Sequence, residues 1–161
     1  MCIRDSPLPD VQPLGAPDTL IKLAKGLYGF GADTVYLSPA PLYHAAPLRW
    51  SMTVQALGGT VVLMEKFDPA KALAAIERYK VTQSQWVPTH FVRLLKLPAQ
   101  QRDAFDLSSH RLAVHAAAPC PVEIKRAMLD WWGPIIHEYY SSSEGVGFLS
   151  LIHISEPTRP Y

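Results

Sequence analysis

The residues best equipped for chemistry lie in the run Tyr140-Ser141-Ser142-Ser143-Glu144-Gly145. An aromatic plane can stack on a base, hydroxyls can donate to phosphate oxygens, and a carboxylate can help hold Mg²⁺, so the run suits a nucleotide. It equally suits a solvated turn in which the serines bond nearby backbone and Glu144 caps a neighbour. A serine nucleophile is disfavoured: there is no Gly-x-Ser-x-Gly elbow, and no spacing pairs a His or Asp with the run. Upstream, Ala116-Ala117-Ala118-Pro119 offers three minimal side chains. They would let a flat ring approach the backbone, or let a strand pack tightly on a helix. His44 follows an aromatic and leads into Ala45-Ala46-Pro47, where an imidazole can orient a carboxylate beside a pocket or hydrogen-bond within a turn. His90, His110 and His137 read as structural, and Cys120 as a small packed residue rather than a reactive thiol.

These groups must be positioned by the elements around them. Short β-branched runs alternate with longer stretches of helical period, without internal repeats, which is the pattern of βα units around a mainly parallel sheet. The pattern predicts a helix from an Asp18 cap through Leu27, a strand at Thr34 to Ser38, a helix from Leu48 to Leu57 and a strand at Thr60 to Met64. Asp68 and Pro69 open a helix as N-cap and first residue. A strand at Val81 to Val87, a helix at Pro88 to Leu97, a strand at Arg111 to Ala116, a helix at Pro121 to Trp132 and a strand at Ile135 to Tyr139 complete the order. In open α/β sheets, ligands bind beyond the C-terminal strand ends. That rule selects Pro39 to His44, Pro88 to His90, His115 to Pro119 and Tyr139 to Gly145 as the segments leaving strands.

Composition narrows the function classes. Of the 161 residues, 48% are hydrophobic and 18% charged, enough apolar mass for a real core. The formal net charge is +1 with no basic block, which disfavours polynucleotide binding. The apolar run from Ala56 to Met64 falls short of the roughly 20 residues of a bilayer span, so no transmembrane segment is expected. The N-terminus lacks an apolar signal core, and the cysteines, Cys2 and Cys120, make no disulfide framework or zinc site. A reducing, cytoplasmic setting is the expectation.

The two ends match each other as codons. Met1-Cys2-Ile3-Arg4-Asp5-Ser6 can be coded ATG TGT ATA AGA GAC AG, whose reverse complement translates as Leu-Ser-Leu-Ile-His-Ile, the sequence of Leu149 to Ile154. The shared element resembles a transposon end used in sequencing libraries, and Ser155 to Tyr161 look like read-through into an adaptor. Residues 1–6 and 149–161 are therefore expected to be adaptor-derived scars flanking residues 7–148, an interior slice of a longer enzyme.

In order as well as content, the interior resembles the adenylate-forming superfamily, in its acyl-CoA synthetase branch. The family's aromatic-His motif reads here as Pro41-Leu42-Tyr43-His44, and its Phe-Asp-Pro helix start as Phe67-Asp68-Pro69. Its Val-Pro-Thr turn is Val87-Pro88-Thr89, its small-residue motif Ala116-Ala117-Ala118-Pro119, and its Tyr-Gly-x-Thr-Glu motif Tyr140-Ser141-Ser142-Ser143-Glu144. Two departures stand out, since Ser141 replaces a glycine and Ser143 a threonine. The resemblance implies part of the family's large N-terminal domain, with sheet edges exposed where partner strands are missing. It implies an ATP-dependent acyl-CoA ligase that turns a carboxylate into an acyl-adenylate and then a CoA thioester. Tyr140 would flank adenine; Ala116, Ala117 and Ala118 would line the nucleotide and acyl site, with Ser142 beside it; Ser143 would contact phosphate, Glu144 would help hold Mg²⁺, and His44 would sit beside the acyl carboxylate. ATP, Mg²⁺ and CoA would be the cofactors, and Leu42, Ala45, Ala46 and Trp50 favour a fatty or other apolar carboxylate. The family's Pro-Lys-Gly phosphate loop, Thr-Gly-Asp and late lysine are not in this sequence, so the isolated chain is expected to be inactive. The competing reading is a non-catalytic α/β module that binds a nucleotide or a partner.

Overall fold

The alternation of β-branched and amphipathic runs folds, in a computed structural model that describes residues 19–141 and 147–150, as a string of βα units. In chain order these are α1 (Thr19–Tyr28), β1 (Val35–Ser38), α2 (Ala45–Ala56), β2 (Thr60–Leu63), α3 (Pro69–Tyr79), β3 (Gln83–Trp86), α4 (Pro88–Leu95), α5 (Ala99–Arg102), β4 (Leu112–His115), α6 (Val122–Trp132), β5 (Ile136–Ser141) and β6 (Gly147–Ser150). The sheet runs β2-β1-β3-β4-β5-β6; β1 to β5 are parallel, and β6 lies antiparallel to β5. This is the expected α/β architecture. The chain steps outward from β1 to β2, then returns past β1 to lay down β3 on its other side. Such a reversal opens a crevice beyond the C-terminal ends of the strands that flank it.

Local chemistry sets the boundaries. Asp68 Oδ1 accepts from the Lys71 backbone N–H at 2.9 Å while Pro69, which has no N–H to leave unpaired, starts α3. Replacing Asp68 by Ala removes this acceptor and is expected to cost about 1 kcal/mol of stability, read as a lower urea midpoint at unchanged slope. Gly59 is required by space: a Cβ there would stand 2.8 Å from Val54 Cγ1 and 3.0 Å from the Thr34 carbonyl oxygen.

Several elements depart from the sequence expectation. Helix α2 begins at Ala45 rather than Leu48, because Pro47 falls in its first turn, where no intrahelical donor is needed. Strand β3 stops at Trp86, since Val87 is already the cap of α4. The Ser-rich region read as a turn belongs partly to β5 and is followed by β6. Helix α5 is too short to show a period.

The faces of the sheet are distinct. Leu37, Trp86, Ala113 and Ile136 join Ala72, Leu73, Ile76, Phe91, Leu94 and Met128 of α3, α4 and α6 in the larger core. Tyr36, Leu112 and Val114 pack with Ala24, Trp50 and Val54 of α1 and α2 on the other side. The polar strand β3, Gln-Ser-Gln-Trp, is fully buried between β1 and β4, and its side chains find partners inside the protein. Tyr36 Oη donates to Gln85 Oε1 at 3.2 Å, and Gln85 Nε2 donates to Tyr139 Oη at 2.6 Å. Trp50 Nε1 donates to the same Tyr139 oxygen at 3.1 Å, so Trp50 is held in this core. Strand β2 occupies one edge, with Leu63 54% exposed.

Candidate functional site

Because β1, β3, β4 and β5 are parallel, the segments that leave them emerge on one rim. The register aligns Trp86, His115 and Glu138 across three neighbouring strands, so Val87, Ala116 and Tyr139 follow them at the same level. Just past β4 the chain turns sharply. Ala116 is buried and its N–H donates to the Trp86 carbonyl at 3.3 Å, while Ala117 and Ala118 are exposed. Ala117 adopts φ +79°, a left-handed conformation that costs a non-glycine residue about 1–2 kcal/mol. A methyl group is the smallest side chain that can be forced there, and it leaves the outer face of the turn open to a flat ring. Tyr140, on the adjacent strand, is 72% exposed. The small-residue turn and the aromatic plane thus lie side by side, as their strand order dictates.

His44 lies at the exit of β1, separated from β4 by β3. It is exposed, caps α2 through its backbone, and its ring centroid is 4.5 Å from that of Tyr43. Ser142, Ser143 and Glu144 lie outside the described residues, between Ser141 of β5 and Gly147 of β6. Among the described residues no group of three or more His, Cys, Asp or Glu could form a protein cage for a metal ion. Mg²⁺ used with a nucleotide needs no such cage, since one or two carboxylates and the substrate phosphates suffice.

The histidines read as structural are packed accordingly. His90 is buried and stacks on Phe67 with centroids 4.0 Å apart, and burial lowers its pKa to about 4. His110 is buried with Nε2 2.6 Å from Ser84 Oγ, and burial lowers it to about 3. His137 sets its ring edge-on to Tyr28 at 5.6 Å. Cys120 is half-buried against the larger core, and burial raises its thiol to about 11, far from a thiolate at neutral pH.

One polar cluster escaped sequence reasoning. In α6, the helix that follows the Ala116–Ala118 turn, Lys125 places its Nζ 2.7 Å from Glu138 Oε2 of β5, with His115 Nε2 3.8 Å from the same oxygen. Lys125 is only 4% exposed. Burial outweighs the Glu138 carboxylate and lowers His115 to about 4, so its imidazole is neutral at neutral pH. The available signal was a lysine one helical turn from Met128 and two turns from Trp132, on a stripe that otherwise reads as apolar.

Comparison with known proteins bears on the family and the fold. A family model for "AMP-binding enzyme" matches residues 18–161. Feruloyl-CoA synthase of an Amycolatopsis species is 35% identical over 128 residues, which make up 78% of this chain and 26% of that protein. The medium/long-chain-fatty-acid–CoA ligase FadD8 of Mycobacterium tuberculosis is 34% identical over 127 residues, again 78% of this chain and 21% of that one. Among solved structures, the amide bond synthetase McbA from Marinactinospora thermotolerans aligns with a TM-score of 0.71 at 31% identity, covering 80% of this chain and 25% of McbA. The chain spans about a quarter of the length of these relatives.

Proposed function

Because the chain belongs to the AMP-binding enzyme family, we propose that residues 7–148 are the central part of an ATP-dependent acyl-CoA ligase. The observation that carries this reading is the placement of the strained Ala117 turn and the exposed Tyr140 plane at the exits of two adjacent strands, β4 and β5, on the C-terminal rim of a parallel sheet. Adenine would lie between them, with Ser142 and Ser143 toward the phosphates. His44, across β3, would face the carboxylate. Mg²⁺ held by Glu144 and the phosphates would neutralise charge on the nucleotide. In the first half-reaction a carboxylate oxygen bonds to the α-phosphorus and pyrophosphate leaves; in the second, the CoA sulfur bonds to the acyl carbon and AMP leaves. The protein's part in both is to align the reacting groups and balance their charge.

A fatty or other apolar acid is the substrate class this reading favours, supported by relatives named for an aryl and a fatty acyl group. Among the described residues no helix is long and apolar enough to cross a membrane. The test is acid-dependent ATP–pyrophosphate exchange, run on the 161-residue chain and on an intact enzyme that carries this segment together with a Pro-Lys-Gly loop and a late lysine. The chain alone is expected to be silent and the intact enzyme active with apolar acids. There, Glu144→Gln should lower kcat by about 100-fold or more. Saturable nucleotide binding by the intact enzyme with no exchange for any acid would instead favour a non-catalytic binding module.

A further inference from the structure

The Lys125–Glu138 pair is a poor device for stability alone. Withdrawing an ammonium from water is costly, and an apolar pair of similar volume is often as stable or more so. Yet this pair stands where a conformation needs enforcing. The turn from β4 into α6 contains Ala117 at φ +79°, and such strain persists only where the surroundings over-determine it. At its start the turn is tied to the sheet by the Ala116 N–H bond to Trp86. At its far side it enters α6, and the charged tie from that helix back to the sheet is Lys125 Nζ to Glu138 Oε2. Glu138 sits two residues before the exposed Tyr140, with 24% of its side chain open to solvent at the rim. His115 closes the cluster from below, neither of its ring nitrogens hydrogen-bonded.

We propose that Lys125 is a positioning residue, which clamps α6 to β5 through Glu138 and thereby holds the Ala117 turn in the shape that a nucleotide base would meet. The effect on the turn stands on the geometry alone; the effect on the nucleotide rests on the function proposed above. The experiment uses the 161-residue chain and two readouts, the NMR amide shift and φ-dependent coupling of Ala117, and the dissociation constant for Mg·ATP. In Lys125→Met the Ala117 signals should move or broaden and Mg·ATP binding should weaken by at least about tenfold, since a shift of about 1 Å in a site can cost about 100-fold in rate. Lys125→Arg, which keeps a donor within reach of Glu138, should restore most of both. If Lys125→Met does not fold, Glu138→Gln takes its place, with the same signals expected to move. A folded variant whose Ala117 signals match the wild type overturns the inference, and so does one that binds Mg·ATP as well as wild type does. A wild-type chain that binds no Mg·ATP is compatible with the proposed function, because the Pro-Lys-Gly loop and Thr-Gly-Asp are not in this sequence; exchange by the intact enzyme tests that function, and Ala117 then decides the positioning role by itself.

Discussion

Acidification from pH 7 to pH 4 is expected to remove on the order of 9 kcal/mol of folding stability, which is comparable with the whole stability of a small domain. The cause is the set of buried histidines His90, His110 and His115, lowered from 6.5 to about 4, about 3 and about 4, each chiefly by burial. In the unfolded chain these rings take up protons as the pH falls through 6.5, while in the folded chain they stay neutral until about 4 or below. The unfolded state therefore binds more protons across that window, and stability must fall as pH falls, by up to about 1.4 kcal/mol per pH unit for each ring. The exposed Asp106, held well below the usual carboxylate range chiefly by hydrogen bonds from Ser108 and Lys80, adds a loss of the same sign at lower pH. Urea titrations at pH 7, 6, 5 and 4 would measure the slope. Stability that is level between pH 6.5 and pH 4 would show that the rings are not buried neutral. His110→Leu should flatten the slope by about one proton's worth.

Trp86→Ala is expected to cost about 3–5 kcal/mol and leave little cooperative unfolding. The indole is fully buried on the central strand β3, which pairs with both β1 and β4. It sets its edge against Trp132 at 5.2 Å and Phe67 at 6.3 Å and lies 6.2 Å from Phe91, so α4, α6 and the segment leading into α3 meet around it. Truncation would open a cavity among groups that the strands hold apart. Its Nε1 also donates to Ser84 Oγ, the hydroxyl that His110 faces, so the loss disturbs one of the acid-sensitive rings as well. Trp86→Phe, which keeps most of the volume, should retain a sharp transition in denaturant, detected by near-ultraviolet circular dichroism. A Trp86→Ala chain within about 1 kcal/mol of wild type would mean that the core collapses around the gap.

Much of this architecture is legible in the residues. Strands rich in Val and Leu, ended by Pro or Gly, and a helix opened by Asp68-Pro69 announce themselves because their causes are local. For the same reason the rim segments could be picked out, since a strand's exit is defined by the strand. The early start of α2 was hidden because Pro47 reads as a breaker unless its place in the first turn is known. The Lys125–Glu138–His115 cluster was hidden for a deeper reason: it joins a helix to two strands, and only the register of β4 on β5 brings His115 opposite Glu138. Trp50, read as lining for an acyl group, is committed to the core through Tyr139, a bond across the sheet that spacing does not reveal. His44 and Tyr140 are exposed on the rim, and among the described residues no side-chain hydrogen bond to either is seen.

The strand order also bears on how the chain is made. During synthesis β1 and β2 emerge before β3 and can pair through Val35 and Thr60, yet the inner edge of β1 stays open until Gln83 and Ser84 arrive to match Tyr36 and Leu37. Strand β3 is thus the late-arriving centre of the sheet, and the loop it closes against β1 is among the costliest steps in the fold. A ribosome that pauses before Trp86 would hold a two-stranded sheet with a raw edge, the state in which a nascent chain is most exposed to a wrong partner.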